Sequence, residues 1–192
     1  MPALNAAALD FLLNRRSRPA KTLTTPVPDR DALMPILQAA ARTPDHGKLE
    51  PWRFMVLEKG ALTRLADIAQ SRGTALELDD VTIAKARDQF GNANLAVAVI
   101  EIIKPNAKVP AVEITYSAGG ACLALLNAAL ASGWGANWLS GWISHDRTFL
   151  TQALGLAENE RVAGFIHIGT ESSAPPERPR PNLETIVSWH SE

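Results

Sequence analysis

The chain has 192 residues, of which 46% are hydrophobic and 20% are charged. This length and composition predict one soluble globular domain, residues 1–192, with a sizeable core. The 19 basic and 20 acidic side chains leave a formal net charge of −1, which excludes the strong positive field of a typical nucleic-acid-binding protein. Cys122 is the only cysteine, so an intrachain disulfide is excluded and a reducing, cytoplasmic location is expected.

The first half of the chain predicts helices separated by one strand. MPALNAAALDFLLNRRS has apolar residues at helical spacing and carries Asp10 among them, which favours an amphipathic helix over a secretory signal. Asp29 is a suitable N-cap for a second helix. WRFMVLE (residues 52–58) predicts a strand that ends in a turn at Lys59 and Gly60. Two amphipathic helices follow, over residues 61–72 and 80–90, with a polar link around Gly73.

The second half alternates apolar strands with helices. The run Ile114 to Ser144 has no charged side chain and is long enough to span a membrane. Its serines, asparagines and glycines interrupt every long aliphatic stretch, so we expect no membrane span but a helix near 111–132, buried on all sides in a soluble core. The other predicted elements are strands at 94–103, near 133–141 and at 161–169, and a helix at 145–154. The run at 94–103 is apolar and rich in β-branched residues, as a strand covered on both faces would be. Helices mixed with strands in this order predict an α+β fold, a sheet sandwiched by helices.

The C-terminal segment predicts an extended arm, residues 171–192. Four prolines lie between Ala174 and Pro181, and they forbid a regular helix while favouring a polyproline-like path. LETIVSW (residues 183–189) can form a strand after this arm. We expect the arm to reach a partner subunit.

The sequence shows no constellation typical of a hydrolase or a metal enzyme. Four histidines, at positions 46, 145, 167 and 190, have no common helical spacing, and no phosphate-binding or dinucleotide glycine loop is present. His167 lies in an apolar strand, which favours a hydrogen-bonded core residue over a ligand. Cys122 is interpreted as core packing.

Cations are concentrated after the first predicted helix. Arg15 and Arg16 can fork onto phosphate oxygens, and Ser17 can donate a further hydrogen bond. The same residues could instead complement the dipole at the end of the helix. A second polar stretch, ARTPDHGKLEPWRF (residues 41–54), connects a helix to a strand, and on residue types alone it could be a surface turn in which Asp45 bonds its own backbone.

Five segments together resemble the flavin-dependent nitroreductase family, and more narrowly its short branch of NAD(P)H nitroreductases. These are Arg-Arg-Ser, A-R-T-P-D-H-x-x-x-x-P-W-R-F, S-A-G-G-A, N-W-L-S-G and G-F-I-H-I-G-T, in this order. The resemblance implies a mostly antiparallel central sheet and an FMN-binding homodimer whose active sites lie at the subunit interface. It also implies that the C-terminal strand is exchanged between the two subunits.

The resemblance also implies roles for particular residues. Arg15, Arg16 and Ser17 match the first FMN segment, where we expect contacts with the phosphate and ribityl chain. Arg42 and His46 match residues that reach the flavin of the partner subunit. A further FMN segment matches Trp138, Leu139 and Ser140. Relatives have an arginine at the position of Leu139, and the cation that replaces it could be Lys21, Arg178 or Arg180.

The implied reaction is a transfer of hydride from NAD(P)H to FMN and then to an electron-poor acceptor, a nitroaromatic or a quinone. Because no side chain is an obvious nucleophile, the chemistry would be that of the cofactor, with a ping-pong order of substrates. Two alternatives stay open. The protein could be a flavin dehydrogenase or a reductase of another conjugated substrate, since a fold does not fix a reaction. It could also be a non-catalytic dimer that binds flavin or another anion.

Overall fold

The computed structural model describes residues 3–104 and 108–192. Helices and strands alternate along most of the chain. The α-helices are α1 (Ala6–Asn14), α2 (Arg30–Ala40), α3 (Lys59–Ala75), α4 (Asp80–Gly91), α5 (Ala111–Ala131), α6 (Arg147–Leu154) and α7 (Leu183–Ile186). The strands are β1 (Leu23–Thr24), β2 (Trp52–Glu58), β3 (Leu95–Ile102), β4 (Gly135–Leu139) and β5 (Glu160–Glu171). Short 3-10 turns lie at Ala20–Thr22, His46–Lys48 and Trp142–Ser144.

The strands form one antiparallel sheet in the order β1-β5-β3-β2, with β4 also paired to β5. The long strand β5 organises this sheet. It pairs with β3 from Glu160 to His167, and with β4 from Phe165 to Gly169. The α+β prediction and the mostly antiparallel sheet are therefore confirmed.

Helices cover both faces of the sheet, so the central strand β3 is buried on both sides. Ala96, Ala98 and Ile100 pack toward α3, α4 and α6, whereas Val97 and Val99 pack toward α2 and α5. This alternation follows from the two-residue period of a strand. The order of helices and strands predicted this sandwich, and the continuous apolar run of β3 is typical of a strand covered on both faces.

On the α4 side, aromatic packing fixes helix against sheet. The Phe90 ring of α4 stands edge-on to Phe165 of β5, with ring centroids 5.1 Å apart. It also stacks near Phe149 of α6 at 6.0 Å. All three rings are fully buried. This contact sets the position of α4 over β5, which matters for the cavity described below.

The predicted turn at Lys59 and Gly60 is wrong, because both residues begin α3. Lys59 Nζ donates hydrogen bonds to the carbonyl oxygens of Gly91 (2.8 Å) and Ala93 (3.0 Å). It thereby satisfies carbonyl groups at the end of α4 that have no helical partner. Gly73 is also part of α3 and not a link. A Cβ at this position would lie 2.7 Å from Ile83 Cγ1, so the glycine permits the close approach of α3 and α4.

Helix α5 is not buried on all sides, contrary to the prediction. Its inner face packs into the core, but Val112, Tyr116 and Leu123 are exposed. These three residues lie on one face because they are spaced by four and seven positions. Among the described residues α5 is the one helix that is long and apolar enough to cross a membrane by length and composition. Its inner face packs on the sheet as a core helix does, and within residues 3–104 and 108–192 no second layer covers the outer face.

The predicted C-terminal strand is not formed within the single chain, and its exchange with a partner subunit stays a prediction. Residues 174–182 form neither helix nor strand, as the prolines predicted, but Leu183–Ile186 forms one helical turn. The Asn182 side chain caps this turn by accepting a hydrogen bond from the Glu184 amide (3.0 Å). Leu183, Ile186 and Trp189 are all exposed, Trp189 at 93%. The segment pairs with no strand of its own sheet, so local capping decides its conformation.

Candidate cofactor site

Residues 15–18, here called the arginine segment, begin where α1 ends and then run beside β4. The Arg18 amide donates to the Ala136 carbonyl at 2.8 Å, and the Asn137 side chain donates to the Arg18 carbonyl. The segment is therefore tied to the sheet at its C-terminal end. This tie places the Arg15, Arg16 and Ser17 side chains at the margin of the sheet.

Arg15, Arg16 and Ser17 are brought together with several hydrogen-bond donors unused. Arg15 Nη2 donates to Ser17 Oγ (3.1 Å), while the buried Nε atoms of Arg15 and Arg16 have no partner within the described part of the chain. The pKa of Arg15 is lowered by burial, and then by the neighbouring positive charges of Arg180 and Arg16. Three cations that repel one another favour the binding of an anion at this point.

Two carboxylates, Asp10 and Glu171, line the cavity of about 420 Å³ that Arg15 and Arg16 also line. Glu171 Oε2 lies 2.9 Å from Arg18 Nε, so this carboxylate is already paired. Neither carboxylate forms an ion pair with Arg15 or Arg16 among the described residues. The charges of these two arginines therefore stay available for a ligand.

A larger cavity of about 740 Å³ lies where α4 faces β4 and β5. Leu139 lines it, and so do Ala20 and Lys21, which follow the arginine segment in the chain. Of the three cations expected to replace the arginine that relatives have at the position of Leu139, Lys21 therefore shares a cavity with Leu139, and Lys85 of α4 lines the same cavity. Arg180 instead acts on Arg15 and pairs with Glu177 at 2.8 Å.

His167 is buried, as expected, but the predicted hydrogen bond is not formed. Its side chain is 2% exposed and lines the 740 Å³ cavity. Neither ring nitrogen has a hydrogen-bond partner in residues 3–104 or 108–192. Burial lowers the pKa of His167 from 6.5 to about 4, so the imidazole is neutral at pH 7. The prediction failed because the facing residues of β3 and β4 are Ala96 and Asn137, and neither pairs with the ring.

The structure does not bring the side chains of Trp138, Leu139 and Ser140 to one cavity. Successive side chains of a strand point to opposite faces, so Trp138 and Leu139 lie on different sides of the sheet. Trp138 lies across Gly164, where an added Cβ would be 2.0 Å from the indole Nε1. Ser140 is exposed just beyond β4. Of the three, Leu139 alone lines the 740 Å³ cavity.

The loop that carries Arg42 and His46 is anchored on α5. Ser117 Oγ donates to the Pro44 carbonyl (2.8 Å) and accepts from Trp52 Nε1 (3.0 Å). His46 Nδ1 lies 2.6 Å from Glu113 Oε2, with both side chains largely exposed. The loop is thus a fixed structure that presents His46 at the surface near the first turns of α5.

Within one chain, His46 is not gathered with the arginine cluster. His46 lines a separate cavity with Glu113 and Tyr116, while Arg15 and Arg16 line theirs near the end of α5. Arg42 is exposed after the last turn of α2. The Asp45 carboxylate accepts from the Glu50 amide (2.8 Å), so the local turn that the sequence suggested is present as well.

Sequence reasoning missed the contribution of α4 to the large cavity. Lys85, Asp88 and Gln89 line it from the helix, and Gln89 Nε2 is buried without a hydrogen-bond partner in the part of the chain that the structure describes. Their spacing of three and four positions marks one face of a helix. No sequence signal shows that this face meets the end of β4.

Comparisons with known proteins place this geometry in a family. Residues 12–170 match the model of the nitroreductase family. The Escherichia coli K12 protein named "Putative NAD(P)H nitroreductase YdjA" is 37% identical over 163 residues, which cover 85% of this chain and 87% of YdjA. A nitroreductase-like protein from Bacillus cereus has the same fold, with a TM-score of 0.78, 21% identity and full coverage of both chains. A nitroreductase from Desulfovibrio desulfuricans, solved with FMN, gives a TM-score of 0.74 at 23% identity, covering 98% and 99% of the two chains.

Proposed function

Because the chain belongs to the nitroreductase family, we propose that it binds FMN and transfers hydride from NAD(P)H to an electron-poor small molecule. A nitroaromatic compound or a quinone is the acceptor class we propose. The observation that carries this proposal is the cluster of Arg15, Arg16 and Ser17, whose buried guanidinium donors have no partner in the described chain.

The cluster fits the phosphate of FMN. A phosphate offers acceptor oxygens in several directions, and arginine binds them with two parallel donors. Arg15 and Arg16 each retain a buried, unused Nε–H group, and Ser17 holds the Arg15 guanidinium in place. The solved nitroreductase from Desulfovibrio desulfuricans contains FMN, which supports the same ligand here.

The residues between the cluster and the large cavity would hold the rest of the cofactor. Residues 15–21 run from the arginines to Lys21, which lines the 740 Å³ cavity. A ligand with a phosphate at one end and a planar ring at the other would follow this path. When bound, FMN supplies the chemistry that accepts and donates hydride. The protein would supply position, and Lys21 or Lys85, which line the cavity, would supply positive charge beside the ring.

We further propose that the active protein is a homodimer. Helix α1 has no buried residue, and Leu9, Leu12 and Leu13 are exposed on it. The outer face of α5, with Val112, Tyr116 and Leu123, is apolar and exposed as well. Exposed apolar helix faces of this kind are typical of a subunit interface. A second copy of the chain is the partner that the family suggests.

The dimer would complete each cofactor site. Arg42 and His46 lie on a fixed loop but not in the cavities of the arginine cluster or of Leu139. Contact with the flavin of the partner subunit would give both residues a role. The arm after Glu171 would extend over the partner, where the exposed Ile186 and Trp189 could be covered and residues 183–189 could pair with a sheet edge.

Purification and a rate assay test the proposal. The protein should be yellow, with flavin absorbance equal to about one FMN per chain. Under anaerobic conditions NADH or NADPH should bleach this absorbance, and a nitroaromatic or quinone should restore it. A colourless protein that gains no flavin when FMN is added would refute the FMN proposal. A yellow protein that neither nicotinamide reduces would favour a binding protein over an enzyme.

The order of substrates follows from the proposed site. Both substrates would use one position beside the ring in turn, so product must leave before the acceptor binds. Initial rates at several acceptor concentrations should therefore give parallel double-reciprocal lines. Intersecting lines, together with direct evidence of a ternary complex, would contradict the ping-pong order.

A further inference from the structure

The 740 Å³ cavity contains two buried polar groups that the rest of the protein leaves without partners. His167 is 2% exposed, and neither Nδ1 nor Nε2 makes a hydrogen bond within the described residues. Gln89 Nε2 is the second such group, on the opposite wall formed by α4. A buried polar group without a partner costs free energy, so its presence calls for an explanation.

His167 is a polar residue in a stretch of β5 that is otherwise buried and apolar. Its neighbours Phe165, Ile166 and Ile168 are all apolar and buried. The residue paired with it on β3 is Ala96, whose small side chain leaves the ring uncovered. The imidazole therefore borders the cavity, beside Leu139 of β4. An apolar residue of similar size would fill this position without loss of hydrogen bonds.

We propose that His167 is a binding residue for the ring system of the flavin, to which it offers one hydrogen bond from the floor of the cavity. This inference rests on the proposed function, because it takes FMN as the ligand. The pyrimidine edge of a flavin presents carbonyl acceptors and an N–H donor. A neutral imidazole carries one donor and one acceptor, so it can match either group. Gln89 Nε2 provides a second donor for a carbonyl oxygen.

The chemical state of His167 supports this role. Its pKa is lowered by burial to about 4, so the ring is uncharged and keeps an acceptor nitrogen at pH 7. The charged residues that line the same cavity are Lys21, Asp80, Lys85 and Asp88. Each of them is exposed. The buried floor would thus recognise the ring by hydrogen bonding, while the charged rim stays exposed to solvent.

Substitution at His167 tests this inference through binding and not through activity. His167→Phe removes both ring nitrogens at similar size, His167→Gln retains a hydrogen-bonding group, and His145→Phe changes an exposed histidine as a control. Apo-protein is titrated with FMN and with riboflavin, which lacks the phosphate, and the thermal midpoint of each apo-variant is recorded. We expect His167→Phe to raise the Kd of both flavins by tenfold or more. His167→Gln should raise it less, and His145→Phe should not change it.

The outcomes separate this inference from the proposed function. Wild-type protein that does not bind FMN would overturn both. Wild-type protein that binds FMN, with an unchanged Kd in a folded His167→Phe variant, would overturn the role of His167 alone. An unchanged Kd with a raised KM for NADH would assign His167 to the nicotinamide and overturn the flavin contact. The apo-variant His167→Phe should be at least as stable as wild type, because it removes an unpaired buried polar group. A thermal midpoint equal to or above that of wild type would show that weaker binding is not caused by unfolding.

Discussion

The buried His167 should make the apo-protein lose stability between pH 7 and pH 4.5. Its pKa is about 4 in the folded chain, against 6.5 for an unperturbed histidine. Between these two values the unfolded chain binds a proton that the folded chain excludes. Stability is therefore complete above pH 6.5 and falls as the pH drops toward the folded pKa. His167→Gln has no titrating group at this position, so it should lack this part of the pH dependence.

The size of the effect follows from the two pKa values. A lowering from 6.5 to about 4 corresponds to about 3 kcal/mol when fully expressed, and to roughly 2.5 kcal/mol between pH 7 and pH 4.5. For a chain of this size, the difference is on the order of 1 M in the urea midpoint.

Urea unfolding followed by tryptophan fluorescence at both pH values measures this difference for wild type and His167→Gln. The pKa values of Asp146 and Glu160 are also lowered, mainly by hydrogen bonds from Arg72 and Arg53, but both carboxylates are present in each protein and cancel in the comparison. Equal losses of stability in wild type and variant would refute the reasoning, because they would show that His167 titrates normally in the folded chain.

Three further predictions concern the cluster, the fold and the arm. Arg15→Ala should raise the Kd for FMN by roughly 10- to 100-fold in a titration of apo-protein, since a charge-assisted contact is lost. Substitution of an exposed arginine, Arg64→Ala, should leave this Kd unchanged. Equal Kd values for the two variants would contradict the proposed contact of Arg15 with the phosphate. Asp146→Ala should lower the free energy of unfolding by about 1 to 2 kcal/mol or more, because it removes both the cap of α6 at the Phe149 amide and the ion pair with Arg72. An effect no larger than that of Asp67→Ala would contradict the stabilising role of these two contacts. Deleting residues 174–192 should weaken the dimer and release FMN, and sedimentation followed at the flavin absorbance wavelength measures both effects. A truncated monomer that keeps one FMN per chain would show that the site is built within one chain.

Local sequence signals predicted most of the fold. Asp29 caps α2 as expected, by accepting from the Ala32 amide at 2.9 Å. The apolar run of β3 predicted a strand covered on both faces, and the structure confirms it. The errors arose where a distant residue decides the outcome. Lys59 was predicted to lie in a turn, but it bonds carbonyl groups 32 and 34 positions later.

The candidate site was only partly predictable. The cluster of Arg15, Arg16 and Ser17 is contiguous in the chain, so its residues were found together and the structure keeps them together. The wall formed by Lys85 and Gln89 depends on how α4 is placed on the sheet, which long-range packing of Phe90 decides. No local pattern carries that information. The partner-subunit roles of Arg42 and His46 depend on a second chain and stay predictions.

The contact between Trp138 and Gly164 restricts how the two positions can vary. A Cβ at position 164 would lie 2.0 Å from the indole nitrogen and 2.6 Å from Cδ1, so no side chain can be added there while the indole keeps its place. The glycine in turn gives the indole a flat strand surface on which to lie. The Trp138 indole can lie here only because residue 164 has no side chain, and its position in turn requires glycine at 164. Substitutions at these positions should therefore be inherited as a pair, with any side chain at 164 accompanied by a smaller residue at 138.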